Sequence, residues 1–146
     1  MNLFKPCFQR YLNQSILKQA AKLSYVVADN APNTAPDLFN EKSLKIWSGE
    51  SDKTIFDDPA VNYAFRAIHD TYHRNTRLDF TGENEIILGQ LQANRESCLY
   101  LREVILNEIS GQAAYFLSNG VFVPDQIQFA KSMLQNNNLF KGVLNV

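Results

Sequence analysis

Apolar residues return every three or four positions along most of this chain, and nowhere do two alternating runs flank a tight turn. That spacing gives a helix one face to bury and leaves no half-buried strands from which to build a sheet. It predicts an all-α protein: a single-domain bundle of five or six helices spanning residues 1–146, with a long ordered loop after the first helix. A chain of 146 residues can bury a full core without disulfides or a structural metal.

The first helix is expected from about Gln9 to Ala28, with Leu12, Ile16, Ala20, Leu23 and Val27 on one face. Pro32 and Pro36 disfavour helix at the residues before them, so 30–57 reads as an irregular wrap with a short helix near Asn40 to Ile46. Leu38, Phe39, Leu44, Ile46, Trp47, Ile55 and Phe56 supply the apolar surface that packs so long a loop down. Asp57 or Asp58 before Pro59 makes a helix start, the carboxylate as N-cap and proline in the first turn. That helix should reach about Asn75. Thr81 caps the next, which runs to roughly Ser118 with a break near Asn94 to Ser97, and Asn119-Gly120 ends it in the left-handed conformation. Pro124-Asp125-Gln126 opens the last helix, and 139–146 is a tail apolar enough to dock back.

Composition removes several classes of function. A net charge of −1 and the lack of any Lys/Arg run give no electrostatic footprint for nucleic acid or an anionic membrane. No stretch approaches the roughly 18 apolar residues of a membrane span, and the first residues lack an apolar signal region, so a cytoplasmic location is expected. Cys7 and Cys98 fit neither a CxxC pair nor a zinc-finger spacing and read as small apolar residues of a reducing compartment. Ser15, Ser97 and Ser110 have no nucleophile-elbow setting, and no glycine-rich phosphate loop is present.

Chemistry concentrates at His69 and His73, the only two histidines. Four residues apart on a helix, their imidazoles point at the same volume and can chelate one ion. Glu83, Glu85 and Glu108 are the candidate further ligands, and the expected metal set is His69, His73, Glu83 and Glu108. Nitrogen with oxygen donors suits zinc, iron or manganese. The order His-Asp-x-x-His lacks the glutamate of the HExxH motif, so Glu85 or Asp70 is left as an unligated base for metal-assisted hydrolysis. Leu101, Ile105, Glu108, Gln112 and Tyr115 form one helical stripe, and a carboxylate in such a stripe must find partners. Arg66, Gln90, Gln112 and Tyr115 are the expected supporting residues. Two other readings compete: a hydrogen-bonded network that fixes helix packing, with Arg66 pairing to Glu108 or Glu83, or histidines that simply face solvent.

The His69-Asp70 step alone is similar to that of HD-type phosphohydrolases, but that superfamily needs a further histidine that this chain lacks. The longer run from Asn62 to His73, with Phe65-Arg66-x-x-His69-Asp70-x-x-His73, then Phe80 and Gly82-Glu83, resembles a pattern in small uncharacterised phage-encoded proteins. Gly111-Gln112-Ala113-Ala114-Tyr115, Pro124-Asp125-Gln126 and Phe129 are similar to their C-terminal part. The resemblance covers about Asp57 to Lys131 and implies a viral or mobile-element origin, a host cytoplasmic setting and an unassigned function. Arg66, His69, Asp70, His73, Glu83 and Gln112 are the positions it marks. It also supplies the rival to an enzyme: a virion component, or an inhibitor that binds a host protein.

Overall fold

A computed structural model describes residues 2–145; Met1 and Val146, the ends of the expected domain and tail, lie outside the described residues. In chain order the elements are α1 (Pro6–Ala20), β1 (Tyr25–Ala28), α2 (Ala35–Asn40), β2 (Leu44–Trp47), α3 (Pro59–Thr76), α4 (Gly82–Asn94) and α5 (Leu99–Leu106). A π-helical turn (Asn107–Gly111), α6 (Gln112–Asn119), α7 (Gln126–Leu134) and a short 3₁₀ turn (Asn138–Phe140) complete them. Since α5, the π turn and α6 form one uninterrupted run, six helices and one two-stranded sheet carry the fold among the described residues. The protein is all-α, as the periodicity predicts. No helix among the described residues is long and apolar enough to cross a membrane.

The chain divides into two compact units, Gln9–Phe80 and a discontinuous one made of Met1–Phe8 with Thr81–Val146. In the first, α1 ends at Ala20 rather than Ala28, and Tyr25–Ala28 forms β1 instead of a last helical turn. Val26 and Val27 are branched at Cβ and crowd a helix there, and with Tyr25 they suit a pleated strand. They pair in parallel with β2, Tyr25 opposite Leu44 and Ala28 opposite Trp47. Parallel strands require a crossover, and α2 lies within it. The short helix therefore stands at Ala35–Asn40, and Leu44 to Ile46, expected in that helix, are strand. Thr34 caps α2 by accepting from the Asp37 N–H, and Pro36 stands in its first turn, where a missing N–H costs nothing. Leu38, Leu44, Ile46 and Ala67 make the buried cluster of this unit, flanked by Leu23, Tyr25, Phe39 and Tyr63.

Side-chain amides tie down the rest of the 30–57 segment. Gln9 donates to the carbonyls of Ile55 (3.0 Å) and Phe56 (3.1 Å), and Asn13 donates to Phe56 at 2.8 Å. Asn62 on α3 donates to the Ser51 hydroxyl at 2.9 Å. An irregular buried loop needs such partners because its carbonyls have no ladder to join.

In the discontinuous unit, α4 packs on α5, the π turn and α6. Phe4, Phe8, Tyr100 and Phe140 form an aromatic cluster with centroids 4.9–6.3 Å apart. The tail returns to the N-terminal segment: Phe4 and Leu144 form an antiparallel bridge, with Lys5 N–H donating to Val143 and Asn145 N–H to Leu3, each at 2.8 Å. Gly89 sets the approach of α4 to the π turn. A Cβ there would lie 2.1 Å from Ser110 Oγ and 2.9 Å from the Ser110 nitrogen, and Ser110 Oγ also donates to the Ile86 carbonyl at 2.9 Å. Gly89→Ala is therefore expected to destabilise the protein by about 1–3 kcal/mol through overpacking, measured as a lower denaturant midpoint; an unchanged midpoint would contradict this packing.

Candidate functional site

Helix α3 is fixed at both ends. Asp58 has extended backbone and accepts from the Ala60 N–H at 2.9 Å, with Pro59 following it. At the other end Arg77 takes the left-handed conformation (φ 61°), and its N–H donates to the His73 carbonyl at 2.8 Å. That reversal brings the Leu78 carbonyl within 2.9 Å of His73 Nδ1. A carbonyl can only accept, so Nδ1 carries the hydrogen and, when the ring is neutral, the lone pair lies on Nε2. His69 Nε2 stands 3.1 Å from His73 Nε2. The two rings are nearly perpendicular, 4.7 Å between centroids, and Phe80 meets His73 edge-on at 4.9 Å. His73 is fully buried and His69 half-buried.

The next helix brings carboxylates. Thr81 Oγ1 accepts from the Asn84 N–H at 3.3 Å, and Glu83 and Glu85 occupy the first turn of α4, Glu83 exposed and Glu85 half-buried. His69 and His73 each offer one ligand nitrogen that could hold a metal ion. Among the described residues Glu83 and Glu108 are not grouped with them.

The remaining candidates lie elsewhere. Arg66 turns to the backbone rather than to Glu108 or Glu83: its guanidinium donates to the carbonyls of Trp47 (2.5 Å) and Gly49 (2.8 Å). Burial lowers its pKa, partly offset by the charges of Glu50 and Asp70. Asp70 is half-buried and Gln90 exposed. Tyr115 packs edge-on against Phe129, 5.7 Å between centroids.

Glu108 has a setting of its own in the π turn. Asn107 donates to one of its oxygens at 3.3 Å and Gln112 to the other at 3.2 Å. Burial pushes the carboxyl up to about 8, against the opposing effect of those two bonds. The Asn107 Oδ1 is buried without a hydrogen-bond partner. Asn107 was not among the sequence candidates, although a buried amide beside a glutamate was its only available signal. The Leu78 carbonyl had none, being a backbone group whose position depends on the turn at Arg77.

Compared with family models, curated proteins and solved structures, the chain matches none.

The Glu108 carboxyl gives a signed pH dependence. Its pKa is raised in the folded state, so between the ordinary carboxylate range and about 8 the native chain holds a proton that the unfolded chain has lost. Stability should fall as pH rises through that window and level off above it. Glu108→Gln should remove this decline, so the variant gains on the wild type between pH 5 and pH 9 in urea unfolding. Parallel pH profiles for the two proteins would refute the assignment.

Proposed function

We propose that this protein binds a divalent transition metal through His69 and His73, and that the bound ion supports hydrolysis. The observation that carries the reading is the 3.1 Å separation of the two Nε2 atoms. With metal–nitrogen bonds of about 2.0–2.1 Å, two nitrogens so placed subtend roughly 95–100° at an ion, within reach of tetrahedral or octahedral ligation. Leu78 supplies the backbone acceptor that metal-binding histidines commonly use to orient the ring. Two imidazoles suit zinc, iron or manganese, with oxygen ligands completing the set. An ion held there would act as a Lewis acid that lowers the pKa of a bound water. Asp70, beside His69 on α3, is the carboxylate we assign to proton transfer.

One observation favours a structural reading instead. His73 is fully buried, bonded to Leu78 and packed against Phe80, as befits a core histidine that holds the end of α3 without an ion. In that case His69 Nε2–H would donate to His73 Nε2. The likeness to phage-encoded proteins, and with it a host or virion partner, rests on the sequence pattern alone.

Metal content by elemental analysis, with melting measured before and after a chelator, separates the two. Zinc or manganese at a hundred times its dissociation constant should stabilise the native state by about 2.7 kcal/mol, and affinity should fall at acid pH as protons compete for the imidazoles. The His69→Ala, His73→Ala double variant should remain folded and lose the metal. Metal-free protein whose melting ignores added zinc, manganese and iron would leave only the structural reading.

A further inference from the structure

The outer face of the small sheet carries a second site, independent of the histidines. Along β2 the side chains alternate, Leu44 and Ile46 buried, Lys45 and Trp47 exposed, so the last two share a face. The loop that follows β1 flanks this face. Two adjoining cavities, about 440 and 390 Å³, share Asn30, Ala31 and Pro32 of that loop. Both fall in the size range of ligand pockets, about 300–1,000 Å³. The larger is also walled by Trp47, Asp29 and Asn33, the smaller by Asp37, Glu41 and Lys45.

Trp47 is held in place. The Arg66 guanidinium stands 5.4 Å from the indole centroid while donating to the Trp47 carbonyl. Gly49 packs so closely that a Cβ there would fall 2.1 Å from Trp47 Cζ2. The indole is nonetheless 44% exposed. Ser48 Oγ donates to Asp29 Oδ1 at 3.3 Å, which orients that carboxylate, and the Asn30 and Asn33 side chains are exposed.

This is an unusual mixture for a cavity: one fixed aromatic surface, and around it carboxylates that accept and amides that both donate and accept. The negative face of an indole attracts polarised C–H groups. A wholly apolar ligand would offer nothing to the lone pairs that these carboxylates keep beyond their bonds from Ser48, Thr34 and the Lys45 N–H. An anionic ligand would meet Asp29, Asp37 and Glu41 against Lys45, the one cation in either lining. A ligand with a C–H face and a rim of hydroxyls can stack on the indole and bond to both the carboxylates and the amides. We infer that this face binds a neutral oligosaccharide, one pyranose ring against Trp47 beside Asp29 and Asn33, the next towards Asp37, Glu41 and Lys45.

Trp47 is the only tryptophan in the sequence, so its fluorescence reports on this site in the full-length protein. Cellotetraose, maltotetraose and tetra-N-acetylchitotetraose are titrated to millimolar concentrations. At least one should shift or quench the emission saturably, and Asp29→Ala should weaken that sugar by about tenfold, as loss of a charged hydrogen-bond partner does. Trp47→Ala should abolish binding, read by backbone amide NMR shifts. If that variant unfolds, Lys45→Ala joins Asp29→Ala in the fluorescence assay and should also weaken the sugar. The His69→Ala, His73→Ala double variant should bind sugar unchanged, which separates this site from the metal reading. No saturable response to any of the three sugars would overturn the inference. So would a response indifferent to Asp29→Ala, or tighter binding of adenosine monophosphate or a proline-rich peptide.

Discussion

The bond between His73 Nδ1 and the Leu78 carbonyl decides what the histidine pair can do. An oxygen with lone pairs and no proton fixes the tautomer, and the tautomer turns a lone pair towards His69. The bond exists because the chain reverses at Arg77, in a left-handed conformation that a non-glycine residue adopts at a cost of about 1 kcal/mol. Two contacts offset that cost. The Arg77 N–H closes on the His73 carbonyl, and its guanidinium lies 5.2 Å over the Phe39 ring. The helix end, the ring orientation and the possible chemistry are thus one linked arrangement.

A second linked arrangement surrounds Glu108. A π turn inserts one residue into a helix and shifts the side chains after it. Asn107, the residue before Glu108, and Gln112, four residues after it, both bond to the Glu108 carboxyl. Neither amide carries charge, so neither balances the cost of burying an anion, and the acid is held towards its neutral form. Its bonds belong to the π turn and the helix that follows.

The sequence made the helices legible because their signals are local. Asp58-Pro59, Thr81, Asn119-Gly120 and Asp125 each mark a helix boundary with one or two residues, and the helices begin or end beside them. The small sheet was illegible for the opposite reason. Tyr25–Ala28 and Leu44–Trp47 are each four residues long, with no turn to announce their pairing, and a parallel partner lies beyond a crossover. Of the site, the His69–His73 proximity followed from helical spacing alone. The setting of Glu108 did not, because it rests on a π turn that ordinary helical spacing does not predict.

The discontinuous unit has a consequence for biosynthesis. Asn145 Nδ2 donates to the Phe4 carbonyl across a sequence separation of 141 residues, so Phe4 stays without this partner until those residues have been synthesised. At about 5–20 residues per second that delay is on the order of ten seconds. Both strands of the Gln9–Phe80 unit, β1 and β2, are made well before then. Closure of the Phe4–Leu144 bridge carries a large loop-closure entropy.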